Sequence, residues 1–436
     1  MGRRASLCEV FPRWASRRAG FLTLGARLRS AVRWAAGPLL FVAASIYRRT
    51  WARNCRIITV VGSFGKSTTA HLIAAALDCP LGSGNMQAAL AADILRFGHR
   101  SRRIVLEAGI SRRRQMRPLA FMIRPDVVVV TSIGSEHQDS LRTLEITRAE
   151  KSRMVEALAP RGLAVLNGDD PNVAWMAGRT RARILRCGFH AGSDVCAAEV
   201  RFRHPPGMEL RIARSGSTLR IRSRLVGYSA VFPHLAALAV AQEEGVALPE
   251  ACRRLERVSA LDRRMEPFPL PNAVWAILDD RKAVPETIAS ALRTLADLPA
   301  RRKWLGSGAV GGSRRGVYHE AVLRSFGAGV VRACDRLVLV ARDGNVRSVL
   351  AAAAREAGFP AGAIFSLENG LPAAVELLRR ELQPGDLVMF KGRFPERLVR
   401  VALALAGIDV RCWIPRCAPR SLNCRRCPAL PAPGST

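Results

Sequence analysis

The chain has 436 residues, 49% of them hydrophobic and 6% aromatic, and carries a formal net charge of +33. That length fits two or three domains with packed cores, and eleven cysteines scattered over it exclude a small secreted disulfide scaffold. The charge points to anionic partners such as nucleotides, nucleic acid or an anionic membrane surface, although arginines spread along the whole length are also what a composition bias produces without any binding.

Residues 1–54 read as an Arg-rich leader with helical character. Its start, MGRRASLCEVFPRW, lacks the apolar core and small-residue cleavage site of a secretory signal. The apolar run Gly37 to Tyr47 is far short of the ~20 residues that a spanning helix needs. Arginines flank it on both sides, so it suits either a membrane surface or packing against the next domain. We read the chain as cytoplasmic, with residues 1–54 a candidate for peripheral membrane contact.

At Arg56 the texture changes. The β-branched run Ile57 to Val61 predicts a buried strand, followed by the loop GSFGKSTT and an apolar helix. Glycines let backbone N–H groups converge on phosphate oxygens, and the helix start adds its positive end. Gly62, Ser63, Phe64, Gly65, Lys66, Ser67 and Thr68 are therefore candidate nucleotide contacts, with Lys66 on the terminal phosphates and Ser67 on magnesium. The general motif has a further Gly where this chain has Val60. The whole chain holds five lysines against sixty-three arginines, and Lys66 and Lys151 are two of the five. Arg cannot lose its proton or act as a compact point charge, so such a chain can keep Lys where Arg will not serve.

Further strands are expected at RIVLEAG, DVVVVTSIG and LAVLN, alternating with helices. That pattern predicts a mostly parallel sheet with ligands at the carboxyl ends of its strands, where Gly62, Glu107, Thr131 and Asn167 lie. Glu107 reads as either a solvent-facing carboxylate or a magnesium ligand. His137 reads as a loop histidine or a ligand. Lys151 lies in a clear helix, TRAEKSRMVEAL, and a neutral lysine can take up carbon dioxide to become an anionic carbamate ligand. Residues 190–225 look antiparallel, and a second α/β unit begins near Arg263 with strands VWAILDD, DRLVLVA and DLVMFKG.

The succession GSFGKSTT, VLEAG, DVVVVTSIGSEHQDS, Lys151 and AVLNGDDP resembles the central domain of the Mur ligase family, the ATP-dependent amide ligases of cell-wall precursor synthesis and their poly-γ-glutamate and folylpolyglutamate relatives. The resemblance continues more weakly through DRRMEP, ILDDRKAVPET and GDLVMFKG. It implies an α/β fold: a P-loop central domain with a parallel sheet over 55–262 and a smaller Rossmann-like domain over 263–411, after the leader 1–54 and before a Cys-rich tail 412–436. It also implies ATP and Mg2+, an acyl-phosphate intermediate, and a carboxylate joined to an amino acid or peptide. Residue by residue, Ser67 and Glu107 would hold one magnesium, and His137 with carbamoylated Lys151 a second. Asn85 resembles the family's turn residue at the reacting phosphate, and Asn167 lies in the Asn-x-Asp-Asp stretch. Arg264 resembles the arginine that closes on the phosphates, Asp280 the ribose-binding acid, and Lys282 a lysine near the γ-phosphate. The chain departs from the pattern in three places. Only about fifty-five residues precede the phosphate strand, the adenine-contacting Asn is replaced by Pro233, and the motif after Asp280 is shortened.

Cys412, Cys417, Cys424 and Cys427 follow a C-x4-C-x6-C-x2-C spacing, which four thiolates around a structural zinc would explain and a flexible tail with incidental thiols would too. Besides the cell-wall type of ligase, three alternatives stay open: a poly-γ-glutamate-type ligase, a nucleotide-binding partner subunit without ligase activity, and a nucleic-acid-binding P-loop ATPase. The scarcity of aromatics for base stacking counts against the last.

Overall fold

The computed structural model describes residues 37–136, 138–214, 216–311, 320–413 and 424–427. Two sheets organise them. The first has eight strands in the order β2-β1-β3-β4-β5-β6-β7-β8: β1 Arg56–Val61, β2 Arg103–Glu107, β3 Val127–Val130, β4 Leu163–Asn167, β5 Arg183–Gly188, β6 Val195–Arg203, β7 Gly207–Arg214 and β8 Ser217–Ser223. Neighbours are parallel from β2 through β6, and β6, β7 and β8 are antiparallel. The inner strands β1 and β3 are apolar, β-branched and buried almost throughout, as a sheet covered on both faces demands.

Helices Lys66–Leu77 and Val231–Glu243 cover one face of this sheet. The second of these is buried from Pro233 to Ala241, and Pro233 falls in its first turn, where a missing N–H costs no helical bond. Helices Gln87–Phe97, Met116–Ile123 and Leu144–Glu156 cover the other face. Helix Gly37–Arg49 packs outside them through Ala44, Ser45 and Arg48, and Arg48 donates to Asp126 Oδ2 at 2.7 Å and to the Ile123 carbonyl at 3.0 Å. The part of the leader within the described residues therefore docks on the first lobe.

The second sheet has the order β13-β12-β11-β14-β10-β9, with β9 Glu266–Leu270, β10 Val274–Asp279, β11 Lys303–Ser307, β12 Arg336–Leu339, β13 Ile364–Ser366 and β14 Leu387–Lys391. Only β9 runs antiparallel. Its two prolines, Pro267 and Pro269, are tolerated because it is an edge strand. Helices Pro285–Asp297, Glu320–Ala333 and Gly344–Glu356 cover one face of this lobe, and Gly370–Glu381 with Val399–Leu405 the other. Among the described residues no helix is long and apolar enough to cross a membrane.

The tail corrects one expectation. Cys424 is 4% exposed and packs in the apolar core of the second lobe, with Cys427 against the same cluster, while Arg425 donates to Glu266 at 2.6 Å. Cys412, Cys424 and Cys427 are free thiols, and among the described residues no three His, Cys, Asp or Glu side chains gather where a metal could sit. Among the described residues the expected zinc ligands are not gathered, because an apolar core rather than a ligand set receives Cys424. Cys417 lies outside the described residues.

Candidate active site

The phosphate loop is shaped by two glycines. Gly62 has φ +146°, and a Cβ there would lie 2.0 Å from Thr131 Oγ1, so only glycine lets the loop leave β1 against the end of β3. Gly65, at φ +79°, starts helix Lys66–Leu77. The loop is pinned to the segment after β3: the Ser63 N–H donates to the Ser132 carbonyl at 2.7 Å, and the Phe64 N–H to Ser132 Oγ at 2.9 Å. The first N–H groups of the helix then point into the cleft with the dipole behind them.

Lys66 is buried, and its amine donates to the Gly62 and Ser63 carbonyls at 2.9 and 3.1 Å. Burial lowers its pKa, and Glu136, 3.8 Å away, works the other way. Ser67 Oγ donates to Glu107 Oε2 at 2.7 Å, and Asn85 Nδ2 to Glu107 Oε1 at 3.4 Å. The carboxylate at the end of β2 thus stands directly beside the first hydroxyl of the helix. A hydroxyl beside a carboxylate is a donor set that suits magnesium, a hard cation that keeps waters and substrate phosphates as its other ligands.

Lys151 lies behind the loop instead of on the cleft wall. It is 3% exposed, and its amine donates to Ser63 Oγ at 2.8 Å. Burial, reinforced by the charge on Lys66, pulls its pKa down to about 7. A substantial share of neutral amine therefore exists near neutral pH. His137, the other expected ligand of a second magnesium, lies outside the described residues.

A cleft of about 870 Å³ opens above these groups, and its far wall belongs to the second lobe. Arg264, Asp279, Arg281, Lys282 and Lys391 line that wall. Burial lowers the Arg264 pKa, as does the neighbouring Arg281, while Glu107, Asp279 and Glu136 oppose the shift. Lys282 pairs with Glu136, and Glu286 accepts from the Ser135 N–H at 2.8 Å and from Ser135 Oγ at 2.7 Å. These contacts join the lobes directly over the phosphate loop.

Asp280 is the position where the structure departs from expectation. Its side chain is 0% exposed and receives the Arg263 guanidinium, with Nε 2.6 Å from Oδ1, and the Val399 N–H at 3.1 Å. Side chains alternate along a strand, so the neighbour Asp279 faces the cleft and pairs with Lys391 at 2.6 Å. A ribose-binding acid in this cleft would be Asp279. Glu136, Glu286, Asp279 and Lys391 are cleft residues that sequence reasoning did not assign. Of these, only Lys391 carried a signal, as one of five lysines in an Arg-rich chain. Phe64, Thr68, Asn85 and Asn167 all line the cleft.

Two facing α/β lobes, with a phosphate loop on one and a row of cations on the other, define a two-lobed enzyme that uses nucleoside triphosphates. The Mur ligase middle domain matches residues 60–241, and the Mur ligase, glutamate ligase domain matches residues 263–394. The chain belongs to the Mur ligase family.

Among curated relatives, the UDP-N-acetylmuramoyl-tripeptide–D-alanyl-D-alanine ligase of Mycobacterium bovis is 28% identical over 392 residues, covering 84% of this chain and 76% of the relative. The UDP-N-acetylmuramyl-tripeptide synthetase of a Roseiflexus species is 28% identical over 401 residues, covering 81% and 76%. Among solved structures, MurF ligase from Thermotoga maritima in complex with ADP superposes with a TM-score of 0.72 at 20% identity, over 85% of this chain and 84% of that one. Mycobacterium tuberculosis folylpolyglutamate synthase complexed with ADP gives a TM-score of 0.63 at 16% identity, over 89% and 97%.

Proposed function

We propose that the protein is an ATP-dependent acid–amino-acid ligase whose carboxylate is a cell-wall-type peptide precursor and whose amine is an amino acid or short peptide. The observation that carries this is the pairing of Ser67 with Glu107 beside Lys66, in a cleft whose opposite wall is cationic. Family membership and the acceptor peptides named for the relatives support the substrate class. A poly-γ-glutamate type of acceptor is the second reading, supported by the superposition on a polyglutamate-forming synthase.

In this reading a substrate carboxylate oxygen attacks the γ-phosphorus, forming a carbonyl–oxygen–phosphorus bond as the bond to the ADP oxygen breaks. The amine nitrogen then attacks the acyl carbon, phosphate leaves with the bonding pair, and the nitrogen gives up a proton. Concentrated anionic charge is the obstacle, and fixed cations and N–H groups meet it without reorganisation. Lys66 and the loop N–H groups hold the transferring phosphoryl group from the first lobe, and Lys282 and Arg264 from the second. Magnesium held by Ser67 and Glu107 would neutralise charge shared between the phosphates. Asn85 fixes the free side of Glu107 so that its other oxygen faces Ser67.

Hydroxylamine traps acyl phosphates whatever the natural amine is, so it tests the class directly. With ATP and a panel of peptide carboxylates, ADP release should track hydroxamate formation one for one. ADP release with no hydroxamate from any carboxylate would leave a nucleotide-binding partner subunit or an ATPase.

The finer expectation of membrane contact has one supporting observation. In helix Gly37–Arg49 the residues turned to solvent are Pro38, Leu39, Val42, Ala43 and Ile46, with no charge among them. Trp51 (71% exposed) and Phe121 (59% exposed, with the Arg49 guanidinium 4.2 Å over its ring) are further exposed aromatic side chains of this lobe. A solvent-facing helix normally presents charged residues there, and apolar faces beside Arg-rich chain bind anionic lipid surfaces. Flotation with vesicles rich in phosphatidylglycerol should recover the protein, vesicles of phosphatidylcholine should not, and Leu39→Glu with Ile46→Glu should cut recovery about tenfold. Equal recovery of the wild type and the double variant would remove membrane contact from the reading.

A further inference from the structure

The cleft extends well beyond the phosphates. From β1 to β5 are three strand spacings, about 14 Å in all, and the cleft continues over the ends of β4 and β5 to Asn167, Asp169 and Phe189. All the aromatic side chains lining the cleft except Phe64 lie at this end, so this is where the base of a triphosphate anchored at the loop after β1 would find rings to stack on. The walls there are Phe189, Tyr228, Phe232, Pro233 and, from the second lobe, Arg293. The Arg293 guanidinium lies 3.9 Å over the Tyr228 ring, and the Phe189 and Tyr228 ring centroids are 6.2 Å apart. Stacking surface is abundant.

Hydrogen-bonding surface that could tell one purine from another is not. Among the described residues only two side-chain amides reach the cleft, Asn85 and Asn167. Asn85 is at the opposite end, on Glu107. Asn167 is turned to the backbone, donating to the Thr131 carbonyl at 2.8 Å and accepting from the Asp169 N–H at 3.1 Å. The side chains that remain near the base are Asp169, which only accepts and already takes the Phe189 N–H at 3.0 Å, Arg293, which only donates, and the hydroxyls of Ser229, Ser290 and Tyr228, the last donating to Asp297 Oδ2 at 2.6 Å. Adenine and guanine each present an acceptor at N7 and at least one donor, so each purine finds partners in that set.

We propose that this enzyme recognises the base by stacking and takes guanine nucleotides nearly as well as adenine nucleotides, which extends its activity to GTP. The proposal rests on the phosphate-loop reading above. An apolar or stacking pocket discriminates between similar ligands by at most about a hundredfold, whereas a site built to hydrogen-bond one of them reaches about 10⁴-fold.

The test is equilibrium binding of MgADP, MgGDP and magnesium tripolyphosphate to the full chain. ADP and GDP should bind within tenfold of each other. Tyr228→Ala and, separately, Phe189→Ala should weaken both by a similar factor of about ten, with tripolyphosphate unchanged. GDP binding more than a hundredfold weaker than ADP overturns the proposal, as does a variant that weakens only ADP. If tripolyphosphate and both nucleotides all fail to bind, the phosphate-loop reading itself falls and takes the proposal with it. The unchanged tripolyphosphate affinity of each alanine variant shows that it is folded.

Discussion

Lys66→Ala should lower acyl-phosphate formation by about 10³-fold while leaving the fold intact. The lysine is the only ammonium seated inside the phosphate loop, and its bonds to the Gly62 and Ser63 carbonyls hold it where a terminal phosphate would draw it forward. Burial lowers its pKa by disfavouring the charged form, and an arriving anion would favour that form again. The chemical step should therefore fall far more than thermal stability. Lys66→Arg should rescue poorly, because a planar fork does not fit the space of an ammonium among carbonyls. Hydroxamate yield per ADP-binding site, measured beside the melting temperature, separates these outcomes. Near wild-type turnover in Lys66→Ala would mean that phosphate is held elsewhere.

Lys151→Arg should be the most damaging exchange of one cation for another in the chain. The amine is buried against Ser63 and close to Lys66 and Lys282, and its pKa of about 7 lets it shed the proton that this crowd of cations disfavours. Arginine cannot shed it. An obligate charge at that depth should cost about 3 kcal/mol of stability and abolish any carbamate. Lys151→Met should keep the fold and isolate the loss of the amine. The sign of the pH effect comes from linkage. The folded pKa lies below that of the unfolded chain, so above about pH 7 unfolding takes up a proton at this site and stability rises with pH. Wild type should thus gain stability from about pH 7 to 8.5 relative to Lys151→Met, as read by denaturant midpoints. If bicarbonate stimulates wild type but not Lys151→Met, the carbamate role stands. An active Lys151→Arg would end it.

What could be read from the sequence was local. The phosphate loop, its strand and its helix are contiguous, and Glu107 was legible because a carboxylate at the end of a β-branched strand must emerge at the ligand edge. The short strands were not: β9 carries two prolines, β11 starts on a lysine and has a glycine next to its last residue, and β13 has only three residues. Their membership in the sheet is decided by neighbours distant in sequence. Asp280 failed in a more instructive way. The acid at the end of β10 was expected, but a displacement of one residue along a strand exchanges the two faces, so Asp279 took the cleft and Asp280 took the core. Glu136 and Glu286 could not be found by pattern at all, because their meaning lies in the other lobe's Lys282 and Ser135.

Arg263 has a positive φ of 56°, is fully buried, and makes its contacts forward along the chain: to Asp280, to Glu266 through its N–H at 2.8 Å, and over the Phe394 ring at 4.7 Å. Although it sits at the junction, it belongs wholly to the second lobe. The segment from Arg257 to Asp262 lies between the helix Leu248–Glu256 and this anchor and has no regular structure. Recombination among homologues that shuffles the two halves would have to splice within those six residues. A crossover even slightly downstream would hand one parent the guanidinium and the other its carboxylate.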